Sequence, residues 1–164
     1  MKHVNFFNMM LVGLLCISCQ PDTVCHETRK VAMHCHFREY YRVPSNVQLN
    51  VRTEWDSITV QGIGSDSVLY NNTKQVSYIA LPLKDSIDTC AYVLTYHQKK
   101  DTLTAIYTNQ QKFLSIECGC VYNHKIMQIN HTRNWIDTVL IVNDAVMLDI
   151  DKNIVLQRTK PDNE

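Results

Sequence analysis

The sequence predicts an all-β protein, a single antiparallel β-sandwich that is immunoglobulin-like in general architecture. Three observations lead there. Short runs rich in β-branched and aromatic residues recur from Val31 to Gln157. Several of them alternate apolar and polar residues with a period of two, the mark of a strand with one buried face. Asn, Asp and Gly pairs stand between the runs, where tight turns belong. No stretch of helical period is long enough to argue for βαβ units, and no repeat of solenoid period stands out.

The elements follow in order. Thr28 to Arg38 sets Val31, Met33, Cys35 and Phe37 on one face, with Lys30, Ala32, His34, His36 and Arg38 on the other. Pro44 breaks the pattern, because proline donates no ladder hydrogen bond. Strands are expected over Val47 to Thr53, Asp56 to Gln61 and Val68 to Tyr70, with Gly62-Ile63-Gly64 and Asn71-Asn72 as turns. Gln75 to Leu81 ends at Pro82. Ala91 to His97 and Thr102 to Thr108 pair around a loop at Gln98 to Asp101. Lys112 to Tyr122 reads as one strand, followed by a turn at Asn123-His124 and a strand from Lys125 to Asn130. Thr138 to Val142 and Ala145 to Ile150 flank Asn143-Asp144 as a hairpin. Ile154 to Gln157 is the last strand. Asn134 to Val139 is open to a helical turn. Trp55 and Trp135 are expected in the core or at strand edges, and Tyr40-Tyr41 with Arg38 and Arg42 on a solvated loop or a binding surface.

The compartment is read from the other end of the chain. Phe6 to Ile17 is apolar apart from Asn8. At about a dozen residues it is too short for a bilayer span, which needs about 20, and suits a signal-peptide core. Cys16-Ile17-Ser18-Cys19 follows. A small residue directly before a cysteine resembles the lipobox of bacterial lipoproteins, although Cys16 stands where that motif usually has Leu. The resemblance implies cleavage after Ser18 and lipidation of Cys19. The expected division is 1–18 signal peptide, 19–24 lipidated cysteine and tether, 25–158 β-sandwich, 159–164 polar tail. Removing residues 1–18 takes away Lys2 and no acid, leaving 15 basic and 16 acidic side chains. That balance gives no basic excess for nucleic acid.

The segment Asp56 to Tyr70, Leu81-Pro82-Leu83 and Ser115-Ile116-Glu117-Cys118-Gly119-Cys120 together resemble a family of uncharacterised lipoproteins from Bacteroidota. The resemblance implies an envelope location and a β fold and carries no activity. It also implies O-glycosylation at Asp-Ser/Thr-apolar triplets, which would fall on Thr23, Ser57, Ser67, Ser86, Thr102 and Thr138. The same triplets are also what a turn leading into a strand looks like. The sequons Asn71-Asn72-Thr73 and Asn130-His131-Thr132 would matter only on a eukaryotic secretory route.

An exported chain meets an oxidising compartment, so Cys25, Cys35, Cys118 and Cys120 are disulfide candidates. In a strand from Lys112 to Tyr122, Cys118 and Cys120 share the apolar face, about 7 Å apart and too distant to pair with each other. One or both are expected to join Cys25 and Cys35, which leaves Cys90 as the odd thiol. A bridge closing a loop of that length contributes roughly 4–5 kcal/mol in the chain-entropy model. The alternative is a metal- or redox-active protein using Cys25, Cys35, Cys118, Cys120 and His124. The spacing is neither Cys-x-x-Cys nor His-Glu-x-x-His, and His34 and His36 lie on the opposite strand face from Cys35. No nucleophile elbow, phosphate loop or paired-carboxylate motif is present. The expectation is a non-enzymatic, cofactor-free protein of the bacterial envelope, at the outer membrane. It would be held to the membrane by its lipid, with a structural or binding role toward an envelope partner and none toward nucleic acid.

Overall fold

A computed structural model describes residues 30–42 and 48–160. Cys19, Thr23, Cys25 and the proposed leader, tether and tail end lie outside the described residues. Within them the chain is all β, with eleven strands and no helix. They are β1 (Ala32–Arg42), β2 (Gln48–Arg52), β3 (Ile58–Gly62), β4 (Val68–Thr73), β5 (Tyr78–Pro82), β6 (Thr89–Tyr96), β7 (Lys99–Ser115), β8 (Gly119–His131), β9 (Thr138–Ile141), β10 (Ala145–Val146) and β11 (Ile154–Thr159).

Two sheets face each other. The first runs β2-β1-β11-β9, with β5 also paired to β1. β11 takes one edge of β1, while β5 and β2 share the other, at 32–36 and 38–42. β1 and β11 run parallel, with Cys35 opposite Ile154 and Tyr40 opposite Thr159. This is a departure from the purely antiparallel sandwich expected. The crossover a parallel pair requires is supplied by the whole second sheet, which lies between the two strands in sequence. That sheet is antiparallel throughout, in the order β10-β8-β7-β6-β3-β4.

The alternation read from β1 is present. Met33, Cys35 and Phe37 are fully buried while their neighbours are half-buried. β6 and β7 repeat the pattern with Leu94, Leu103, Ala105 and Tyr107 facing inward. These side chains meet Ile79, Leu81, Ile154 and Leu156 of the first sheet in a single core. Both tryptophans belong to it. Trp55 stacks on Phe37 with ring centroids 4.0 Å apart and meets Trp135 edge-on at 4.9 Å. Offset and edge-on aromatic pairs contribute about 0.5–1.5 kcal/mol beyond their buried area.

Five local expectations are corrected. Asn71-Asn72 lies inside β4 and is not a turn; Asn72 has a φ of 47° at an irregular stretch of the β3–β4 pairing. The β6–β7 connection is the two-residue turn His97-Gln98, both at positive φ, so Lys99 to Asp101 are already strand. That geometry matches the right-handed twist of the flanking strands. The proposed strand from Lys112 to Tyr122 is two strands: β7 ends at Ser115, residues 116–118 turn, and β8 starts at Gly119, whose φ is 69°. β8 then continues through Asn123-His124, so no turn falls there. Finally, β9 and β10 do not form a hairpin about Asn143-Asp144. β9 pairs with β11 and β10 with β8, so the chain changes sheets at that point.

Candidate functional site

Strand direction sorts the loops into two ends. The start of β1, the β3–β4 loop, the β5–β6 loop and the β7–β8 tip all point away from the His97-Gln98 turn, but β7 runs on from Ile106, opposite Thr89, to Ser115, so the tip projects beyond the other loops. The His97-Gln98 turn lies at the other end.

The His97 end is polar and tightly bonded. Asp101 is fully buried at the start of β7. Its Oδ1 accepts the Thr132 hydroxyl at 2.6 Å and the Asn134 N–H at 2.8 Å; its Oδ2 accepts the N–H groups of Trp135 and Ile136, each at 2.8 Å. Burial alone would raise this carboxyl, but the four donors outweigh it and hold it below the usual carboxylate range. Beside it, Arg158 of β11 meets Glu39 of β1, with Nε 2.6 Å and Nη2 2.5 Å from Oε1. The guanidinium lies 4.4 Å from the Tyr96 ring centre. Glu39 Oε2 also accepts the Tyr41 hydroxyl at 3.1 Å. Both carboxylates and the Nε and Nη2 of Arg158 are engaged within the fold, so this cluster is architecture.

In the interior, Cys90 and Tyr107 face each other across β6 and β7, Sγ to Oη 3.0 Å, and the Tyr107 hydroxyl donates to the Lys84 carbonyl at 3.0 Å. The Tyr92 hydroxyl donates to the Pro82 carbonyl. Burial first, then the Cys90 contact, pushes the Tyr107 phenol up. His124 packs edge-on against Tyr107, with Nδ1 2.7 Å from Asn109 Oδ1 and Nε2 3.8 Å from Asp85. Burial lowers its basicity, and the Asp85 charge offsets this only in part.

The opposite end is apolar. A groove of about 340 Å³ lies between the β3–β4 and β5–β6 loops, lined by Leu69, Pro82, Leu83, Ala91 and Tyr92, with Ile63 and Ile87 exposed on its rim. It shares Pro82 and Leu83 with a wider recess of about 790 Å³, which is bordered by Lys30, Val31 and Ala32 on one side and by Cys120, Val121 and Tyr122 on the other. The start of the fold therefore sits against the base of the β7–β8 tip. At that tip Phe113 is 63 % exposed and Ile116 90 %.

The sequence-predicted site residues do not converge. Cys35 is a free thiol, fully buried, as its strand parity required. Cys90 is also free and buried. Cys120 is free but exposed, which corrects its expected place on the inner face. The reason is the hairpin turn: β8 starts afresh at Gly119 with Val121 facing inward, so its neighbour Cys120 faces out, while Cys118 is buried within the turn itself. Cys118 is disulfide-bonded, and none of the other described cysteines is its partner. Cys35 and Cys120 therefore pair with nothing, contrary to expectation. Of the metal alternative, Cys25 lies outside the described residues, and among the described residues no three His, Cys, Asp or Glu side chains come close enough to hold an ion. His124 is committed to Asn109 and Cys35 to the core. His34 and His36 stack on Tyr78 and both approach the Asp151 carbonyl, at 3.2 and 2.8 Å. A maleimide is expected to modify Cys120 promptly in the folded protein and Cys35 only after denaturation, because burial both hides the Cys35 thiol and pushes it up. Equal labelling of the two under native conditions would contradict that.

Of the six glycosylation triplets, several spend their acid on the fold. Asp56 accepts the Gln75 N–H at 3.1 Å, Asp101 is buried as described, and Asp137 accepts the Thr159 N–H at 2.5 Å. Ser57 and Thr102 are half-buried, and Thr138 is exposed within β9. Ser67 and Ser86 are exposed and lie outside strands. The residues that sequence reasoning missed are Ile63 and Ile87, exposed at the rim of one groove, and Phe113 and Ile116, exposed at the β7–β8 tip.

No curated protein and no solved structure matches the chain. Residues 57–157, from just before β3 into β11 and more than half of the sequence, match a family of unknown function, DUF6452, and the chain belongs to that family.

Proposed function

We propose that this protein is a lipid-anchored component of the bacterial envelope, at the outer membrane, with a binding or structural role and no catalytic one. The observation that carries the binding role is the apolar groove at the β3–β4 and β5–β6 loops. Its walls carry Leu69, Pro82, Leu83, Ala91 and Tyr92 with Ser65, Ser67, Lys84 and Thr89 among them, and Ile63 and Ile87 stay in solvent on its rim. Concave apolar surface with a few polar groups is the usual form of a binding site, and an apolar rim suits a protein partner of the same envelope. The anchor is supported by Ser18-Cys19 after a short apolar core, and the Bacteroidota likeness agrees with it. Three acyl chains at about 0.8 kcal/mol per buried CH₂ hold a small domain stably at a bilayer. If the chain is O-glycosylated, Ser67 and Ser86 are the exposed sites that lie outside strands.

Intact mass of the protein extracted from its own membrane tests the anchor. The expected mass is that of the chain from Cys19 plus acyl groups, with one disulfide. A chain without acyl groups would overturn it. For the groove, the Ile63→Asp and Ile87→Asp double variant should keep its melting temperature within a few degrees, since both positions are exposed. It should also lose whatever envelope protein accompanies the wild type stoichiometrically in mild detergent. A wild type that carries no such protein would overturn the binding role.

A further inference from the structure

We infer that β9 is a self-pairing edge. Two copies of this chain join antiparallel along it, so that the sheet β2-β1-β11-β9 continues across a two-fold axis into the same sheet of a second copy. The contact uses neither the groove nor the lipid anchor proposed above.

Among the described residues β9 pairs with β11 alone, so its outer edge is open. An open edge is a template for another strand, and folds usually blunt it with a charge, a proline or a bulge. β9 has none of these. Thr138 to Asn143 contains no charged side chain and no proline. Its register runs from Thr138↔Gln157 to Ile141↔Ile154 without a shift. The edge strand β4 of the other sheet is different, being broken by register shifts against β3 and by the positive φ of Asn72. β9 and the residue after it also expose apolar side chains in a row: Leu140 at 45 %, Ile141 at 43 % and Val142 at 56 %.

The backbone selects the register and the occupant. Backbone groups of a strand turn alternately to one neighbour and the other. The Val142 N–H donates to the Asn153 carbonyl at 2.8 Å. On β11 the Lys160 N–H goes to the Tyr40 carbonyl of β1 at 2.9 Å, which leaves Val155 and Gln157, at the other parity, for β9. Thr138 and Leu140, opposite those two residues, therefore bond to β11, and the N–H and C=O groups of Val139 and Ile141 point out of the sheet. Two copies satisfy all of these groups at once when Val139 of one faces Ile141 of the other. The axis then passes through Leu140, which meets its own copy. Asp137 falls opposite Asn143, so no like charges meet along the edge. The whole chain carries 16 basic and 16 acidic side chains, and no net charge holds two copies apart. A segment that complements itself in this way closes into a two-fold dimer. Val139 already packs on the core, and Ile141 shares its face, so the joined strands extend that core across the axis while the two Leu140 side chains cover the outer face. A strand of 4 residues buries less than the standard interface of about 800 Å² per partner, so the dimer is reversible.

The test is a disulfide across the axis, made in the full protein in mild detergent at high concentration. Leu140→Cys is prepared with Cys120→Ser, which removes the exposed natural thiol, and is oxidised with diamide. Opposed residues of this kind stand about 4.5 Å apart at Cα, which a disulfide accepts. In Thr138→Cys the two thiols are four residues out of register, about 13 Å apart along the strand. The expected result is covalent dimer as the main product from Leu140→Cys and monomer from Thr138→Cys. Equal cross-linking at the two positions would overturn the register and with it the inference. Sedimentation gives the second reading, and it decides alone should Leu140→Cys fold poorly. The wild type should sediment with twice the mass of one chain. Leu140→Lys, which sets two ammonium groups across the axis, should sediment with the mass of one while keeping its melting temperature. A monomeric wild type, or a dimer that Leu140→Lys leaves intact, would overturn the inference. So would a Leu140→Cys thiol that bridges in intact membranes to a different protein and never to its own copy.

Discussion

Glu39→Ala is expected to cost the fold about 3–5 kcal/mol, because it leaves the Arg158 guanidinium buried without its counter-charge. Both side chains are almost wholly enclosed, at 5 % and 8 % exposure. The ring of Tyr96 beneath the guanidinium supplies part of its environment, about 0.5–2 kcal/mol for a cation over an aromatic face, which does not replace a carboxylate. For a domain of this size the melting temperature should fall by more than about 10 °C. Exchanging both partners for methionine, in Glu39→Met with Arg158→Met, should recover most of the loss, since a buried ion pair contributes little net over an apolar pair of similar volume. Urea unfolding of the two variants checks this. Equal destabilisation by the single and the double change would show that the pair contributes through something other than charge compensation.

Asp101→Ala is expected to cost a similar amount, about 3–5 kcal/mol. It strips acceptors from the N–H groups of Asn134, Trp135 and Ile136 and from the Thr132 hydroxyl, and a buried unsatisfied donor costs about 1–3 kcal/mol. The total is below the sum because water can enter at the partly buried members. Asp101→Asn keeps one oxygen and should lose roughly half as much. The charge also sets a pH dependence. The folded carboxyl is held below its ordinary range, so its contribution is complete above about pH 4 and disappears as pH falls through the lowered folded value. His124 acts with the same sign: burial favours its neutral form, so the unfolded chain takes up the proton first and stability declines below about pH 6.5. Urea midpoints followed from pH 7 to pH 2 should show both parts. His124→Gln should flatten the upper one and Asp101→Asn the lower one. An acid limb unchanged by Asp101→Asn would contradict the reading.

These two centres show where sequence reading stops. Glu39 and Arg158 are 119 positions apart, and nothing in composition pairs them; the parallel register of β1 with β11 does. Asp101 looked like a loop residue because Lys99-Lys100-Asp101 is polar. It is strand because the hairpin turns at His97-Gln98, a two-residue turn with no glycine to announce it. The stretch from Lys112 to Tyr122 misled for a related reason. Its alternation continues across Ser115 to Cys118 by coincidence of residue type, so period alone hid a hairpin and put Cys120 on the wrong face.

What the chain determines by itself is whatever depends on neighbours in sequence. A period of two needs only the pleat, so the all-β class and the inward face of β1 with Cys35 on it were legible from residue order, while the tryptophans were legible only as core or strand-edge residues. The tertiary structure alone decided what depends on meetings between distant segments. These are the parallel closure of the first strand on the last, the change of sheet between β9 and β10, and the dispersal of the cysteines and histidines. The physical reason is that strand pairing is a contest among edges with nearly equal backbone hydrogen bonds. It is resolved by side-chain packing summed over the whole core, which no local pattern contains.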